Sequence, residues 1–110
     1  MRKEVPAQIQ NILNETRSEL LRIYPDRLKE MILFGSYARG DFTNESDIDL
    51  LLLLDQVNDI CTERNKYQGI ISRISLKYDT VISIIPIGLD DFSHKKTPLI
   101  LNINKEGIKV

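Results

Sequence analysis

Cysteine is nearly missing from this chain: Cys61 stands alone among 110 residues. An intramolecular disulfide is therefore excluded, and a reducing compartment is the simplest expectation. Long apolar runs are missing too. The longest strongly apolar run is Leu50–Leu54, far short of the roughly 20 residues that a membrane-spanning helix requires. No apolar h-region follows the first charged residues, so no secretory signal is expected and the expected location is the cytoplasm. Neither sign of charge is in excess, with 15 Lys and Arg against 16 Asp and Glu. That balance argues against bulk, sequence-independent nucleic-acid binding, although it leaves room for a local basic patch. Repeats, low-complexity tracts and linkers are absent. What remains is an ordinary globular composition, 42% hydrophobic and 28% charged, in a chain long enough for one core and one domain over residues 1–110.

The apolar spacing orders the elements. Lys3–Tyr24 reads as a helix, with Val5, Ile9, Ile12, Leu13, Leu20 and Ile23 at three- and four-residue intervals. Pro6 suits its first turn, and Pro25 ends it. Met31–Phe34 is a short buried strand stopped by Gly35. Ser36–Arg39 has room for one helical turn, and Gly40–Ser46 is a polar loop. Ile48–Leu54 is a second strand, apolar on both faces from Leu50 onward. Val57–Tyr78 reads as a long helix with Ile60, Tyr67, Ile70, Ile71 and Ile74 on its inner stripe. Thr80–Ile87 is a β-branched third strand, and Pro86 marks its end or a sheet edge. Asp90–Lys96 is a polar turn or short helix. Pro98–Glu106 is a last helix with Gly107 expected as its C′ residue. The link between the first two strands is too short for a crossover helix. The expected fold class is therefore α+β, a small mixed sheet flanked by helices.

Two segments carry chemistry. Asp47 and Asp49 are two positions apart on a strand, so their carboxylates share one face while Ile48 and Leu50 share the other. Adjacent carboxylates repel, and a divalent cation removes that conflict. Mg²⁺ takes oxygen ligands, accepts one or two carboxylates and completes its shell with substrate phosphates. Upstream, Gly35 lets the backbone approach a ligand closely. The first amides of the following turn favour an anion, and the Ser36 hydroxyl and Arg39 guanidinium can both bind phosphate oxygen.

The pattern Gly35-Ser36, ten residues, Asp47-x-Asp49 resembles the signature of the DNA polymerase β-like nucleotidyltransferase superfamily. The fuller string from Gly35 to Leu52, the leading helix and the late segment Asp91 to Ile108 resemble its small prokaryotic members, the minimal nucleotidyltransferases (MntA-like). The resemblance implies a polymerase β-like palm fold and a two-metal, in-line transfer of a nucleoside monophosphate, AMP from ATP, with loss of pyrophosphate. It implies Asp47 and Asp49 as Mg²⁺ ligands, and Gly35, Ser36 and Arg39 as nucleotide-binding residues. It also implies a third carboxylate on a later strand, which binds the catalytic metal and helps deprotonate the acceptor. Asp79, at the expected start of strand three, is the candidate for that role. Ser83 lies on the same strand face by alternation but is not a carboxylate. Some proteins of this kind are antitoxins that adenylylate a HEPN-type toxin, so the resemblance implies such a protein partner. A domain this small has little surface to grip both a base and an acceptor, and a partner chain or homodimer would supply more.

Each feature has a plainer reading as well. Arg39 reads equally as a loop cation, Tyr37 as a packing residue and Asp41 as a turn residue. His94, beside Lys95 and Lys96, is given no catalytic role. Cys61, with no other cysteine or histidine near it, is expected to pack. Two alternatives stay open: a binding-only antitoxin with a vestigial nucleotide site, and a transferase acting on small molecules or RNA ends. The RNA version is disfavoured by the charge balance and by the lack of a basic, aromatic-rich segment.

Overall fold

A computed structural model of the chain describes residues 4–110. Helix α1 spans Ala7–Ile23 and buries Ile9, Ile12, Leu13, Thr16 and Leu20. Pro6 precedes the helix as its N-cap rather than sitting in its first turn, and Lys3, the expected start, lies outside the described residues. Strand β1 (Leu28–Phe34) runs into the one-turn helix α2 (Ser36–Arg39). Strand β2 (Ile48–Leu54) leads to helix α3 (Ile60–Tyr78), strand β3 (Ile82–Gly88), helices α4 (Leu89–His94) and α5 (Pro98–Glu106), and the two-residue strand β4 (Ile108–Lys109).

The four strands form one mixed sheet in the order β3-β2-β1-β4. β1 pairs antiparallel with both β2 and β4, and β2 pairs parallel with β3. The short β1–β2 link forces the antiparallel pair, while α3 supplies the crossover that a parallel pair requires. Pro86 lies on β3, which is an edge strand, as a proline's missing N–H demands.

The two faces of the sheet are unequal. Helices α1 and α3 cover one face. There Leu33, Leu50, Leu52, Ile48 and Ile82 pack with Ile12, Leu20, Tyr67 and Ile74. The other face carries a smaller cluster, Ile32, Leu51 and Ile103, with Phe34, Ile85, Phe92 and Leu99 against it. Here α4 supplies Phe92 and α5 supplies Leu99 and Ile103 as the cover over the strand residues. Because β2 is covered on both sides, Leu50, Leu51, Leu52 and Leu54 are fully buried, which accounts for its unbroken apolar run.

Several boundaries differ from the sequence reading. β1 begins at Leu28 because Leu28 and Glu30 still pair with Leu54 and Leu53, across a register irregularity at Lys29. α3 begins at Ile60 rather than Val57. Asp59 caps it by accepting from the Cys61 N–H at 3.1 Å, and an N-cap fixes where a helix starts. That start turns Ile60 outward, to 49% exposure, and leaves Cys61 exposed rather than packed. α5 has the expected bounds, with Thr97 as N-cap and Pro98 in its first turn. Gly107 does not adopt the left-handed C′ conformation, since its φ is −64°. Glycine is required there by space: a β-carbon would sit 2.5 Å from the Ile103 carbonyl oxygen and 2.6 Å from Ile32 Cγ2.

The distal end of the sheet is tied by a buried charge. Glu63, only 5% exposed, accepts from Arg27 Nη2 at 2.7 Å, Arg27 Nη1 at 3.2 Å and the Tyr24 hydroxyl at 3.1 Å. Arg27 also donates from Nε to Asp55 at 2.9 Å. The Arg27 guanidinium holds the Glu63 carboxyl below the usual carboxylate range, while burial and then the Glu63 hydrogen bond push the Tyr24 phenol up. Among the described residues no helix is long and apolar enough to cross a membrane.

Candidate active site

The site forms where β1 ends and β2 begins. Phe34 pairs with Asp49 in the antiparallel ladder, so Gly35, the next residue, meets the Asp49 side chain directly. Gly35 has φ +77°, and a β-carbon on it would overlap Asp49 Oδ2 and lie 3.3 Å from Cγ. Only glycine allows that conformation and that approach together. Asp49 faces away from the α1/α3 core, on the same face as Ile32 and Leu51, beyond the end of the α5 cover.

Asp47 is exposed and Asp49 half-buried. Burial pushes the Asp49 carboxyl above its usual range, the Asp47 charge pushes it further, and Arg39 pulls it back. Asp47 lies not on the strand, where the sequence reading put it, but in the loop immediately before β2, which begins at Ile48; its charge still acts on Asp49.

Helix α2 begins at once after Gly35. The Gly35 carbonyl accepts from the Ala38 and Arg39 N–H groups at 3.1 and 3.0 Å. The preceding amides, of Ser36 and Tyr37, lie in the first turn, where a helix has no acceptor of its own to offer. Gly40, with φ +87°, closes the turn by donating to the Ser36 carbonyl at 2.9 Å. Tyr37 is buried and stacks on Phe42 with centroids 4.7 Å apart, so it packs the loop. Arg39 donates from Nε to Asp41 Oδ2 at 3.2 Å, and its Nη1 stands 3.8 Å from Glu106 Oε2. Glu106 ends α5. Its contact joins distant parts of the chain, and no local signal marked it. Asp41, expected as a turn residue, also serves as a partner of Arg39.

Gly35, Ser36, Arg39, Asp47 and Asp49 are thus brought to one end of the sheet. Asp79 is placed otherwise. It is not on β3, which starts three residues later, but at the end of α3 in the left-handed conformation with φ 50°. Its N–H donates to the Leu76 carbonyl and the Thr80 N–H to the Ser75 carbonyl, at 3.4 and 3.0 Å. These are the paired bonds of a Schellman stop, and aspartate is among the few non-glycine residues that tolerate its geometry. Among the described residues, no three His, Cys, Asp or Glu side chains gather as a metal-holding group. His94 Nδ1 lies 2.9 Å from the Asp90 carbonyl oxygen of its own helix.

A model of the nucleotidyltransferase domain family matches residues 13–108. The chain belongs to that family. The match takes in the Gly35-Ser36 turn, both aspartates and all the major elements of the sheet. This nucleotidyltransferase is 45% identical over 78 residues to a Methanocaldococcus jannaschii protein provisionally named a protein adenylyltransferase, covering 71% of this chain and 78% of the relative. Solved structures share its fold, and two illustrate it. One is a toxin–antitoxin with AMP-PNP, with TM-score 0.60 and 21% identity over 86% of this chain and 68% of that one. The other is a mutant form of the toxin–antitoxin MntA–HpeT, with TM-score 0.60 and 24% identity over 88% and 70%. The mixed sheet and its flanking helices are those of the polymerase β-like nucleotidyltransferases, as the sequence resemblance implied.

Proposed function

We propose that this nucleotidyltransferase moves AMP from ATP onto a hydroxyl of a HEPN-type toxin, as its antitoxin, in the cytoplasm. The observation that carries the reading is the Asp49 carboxylate lying against Gly35, because it joins the acidic pair to the serine turn. The donor set suits Mg²⁺: one exposed carboxylate just before β2 and one half-buried carboxylate on it, the latter pushed up by burial and by its neighbour. When bound, the cation neutralises the pair and ligates the triphosphate.

The chain's own groups then have distinct tasks. Asp47 and Asp49 hold the cation. Gly35 gives the phosphates access to the backbone, Ser36 offers its hydroxyl and amide to phosphate oxygen, and Arg39 offsets phosphate charge. The acceptor oxygen bonds to the α-phosphorus as the bond to pyrophosphate breaks. The protein acceptor is supported by the name of the Methanocaldococcus relative and by the toxin–antitoxin neighbours. A partner chain supplies the grip on the acceptor that so small a domain lacks.

The test is incubation with labelled ATP, Mg²⁺ and the HEPN-type protein encoded beside it. Label should appear on that protein and vanish with Asp47→Asn plus Asp49→Asn. A toxin inhibited without label would favour the binding-only reading, which the placement of Asp79 keeps in view. Label on a small molecule or an RNA end would favour the remaining alternative.

A further inference from the structure

The neighbours of the two aspartates on β3 are not acids. Asp49 and Ser83 are registered partners in the parallel β2–β3 ladder. Their backbones therefore run about 4.8 Å apart and their side chains rise from the same face. One step earlier, Ile48 is registered with Ile82 and donates its N–H to the Val81 carbonyl at 2.9 Å. Val81 and Asp47 are the residues immediately before that first registered pair. Val81 is 56% exposed and Ser83 is exposed, so both positions open to solvent on the side of the acidic pair. Asp79, the nearest acid in sequence before them, is held in the stop of α3.

We infer that β3 gives the site no acidic ligand, that Ser83 occupies the position from which one would act, and that the chain has a single resident divalent-cation site made by Asp47 and Asp49. A second cation enters only with the phosphates of the nucleotide. The physical reason is charge. Two carboxylates balance one divalent ion, and a second ion at about 4 Å from the first meets strong repulsion unless further anionic oxygens arrive with it. A serine hydroxyl supplies a neutral oxygen and does not offset that repulsion. The inference rests on the functional reading for its aspartate pair.

The experiment is a titration of the whole chain with Mn²⁺, counted by electron paramagnetic resonance. Without nucleotide the wild type should bind one ion, and with a non-hydrolysable ATP analogue it should bind two. Asp79→Asn should bind as the wild type does. Ser83→Asp, at an exposed position that folding tolerates, should bind a second ion without nucleotide or tighten the first by about tenfold or more. Two ions on the nucleotide-free wild type, loss of an ion in Asp79→Asn, or a folded Ser83→Asp that binds like the wild type would each overturn the inference. A wild type that binds no Mn²⁺ and transfers no label defeats the functional reading itself, an outcome distinct from those three.

Discussion

The carboxylate of Asp49 rests against the backbone of Gly35, at a distance that leaves no room for a β-carbon between them. Gly35→Ala should therefore push Asp49 off its position and strain a backbone at φ +77°. A displacement of about 1 Å at reacting groups costs on the order of 100-fold in rate. Adenylyl transfer by Gly35→Ala should fall by about that factor. Gly69→Ala is the matched control. It lies within α3 with nothing within 4 Å of its added carbon, so it should leave activity intact and stabilise the chain by about 0.5–1 kcal/mol. Steady-state rates and thermal melts of the two variants check both statements.

The same crowding sets the stability of the cation-free protein. Asp49 has its carboxyl raised by burial and by Asp47, so the folded state holds the proton more tightly than the unfolded chain. Stability then falls as pH rises from the ordinary carboxylate range through the raised value. Asp49→Asn should melt higher than the wild type in EDTA at pH 7.5, with the difference shrinking by pH 4. Adding Mg²⁺ should raise the wild-type melting temperature at pH 7.5 and leave Asp49→Asn nearly unmoved.

Glu63 obeys the opposite sign. Its carboxyl is lowered by Arg27, so its contribution is present above the ordinary carboxylate value and is lost as pH falls through the lowered one. Arg27→Ala leaves the buried Glu63 carboxylate only the Tyr24 hydroxyl and Lys66 Nζ, at 3.1 and 3.5 Å, and should destabilise the chain by about 2–3 kcal/mol at pH 7. The gap from wild type should narrow in acid. Arg27 sits just before β1 and bonds to Asp55 just after β2, at the end of the sheet away from Asp49. Transfer activity below the melting range should therefore survive. Urea melts across pH, run beside activity assays, separate the two effects.

Arg39 is held between Asp41 and Glu106 at 3.2 and 3.8 Å, close enough to Asp49 to pull its carboxyl down. Arg39→Ala should raise KM for ATP by about tenfold, the value of one charge-assisted phosphate contact. Glu106→Gln should change KM by much less, since one exposed ion pair at that distance contributes little.

Local signals carried most of this fold, and long-range ones were lost. α5 was legible to the residue because Pro98 and Gly107 bracket it. β2 was legible because five consecutive leucines demand cover on both faces. β4 was missed because Ile108–Lys109 is too short for any period to show, and it forms only by pairing with Ile32 and Leu33. Of the candidate site, what was legible is the meeting of residues close in sequence: Gly35, Ser36, Arg39, Asp47 and Asp49 come to one end of the sheet. Asp79 was misplaced because an aspartate before a β-branched run reads as a strand start, whereas here it stops a helix. Glu63 gave no sign, since a glutamate on a helix is exposed by default and only the fold brings Arg27 and Tyr24 to it.

The central claim is that Asp47 and Asp49, joined to the serine turn through Gly35, hold a Mg²⁺–triphosphate. Calorimetric titration with a non-hydrolysable ATP analogue tests it most directly. Binding should be seen with Mg²⁺, weaken by at least about tenfold in EDTA, and lose its dependence on Mg²⁺ in Asp47→Asn plus Asp49→Asn. Equal affinity with and without Mg²⁺ in the wild type, or an unchanged Mg²⁺ response in the folded double variant, would contradict it.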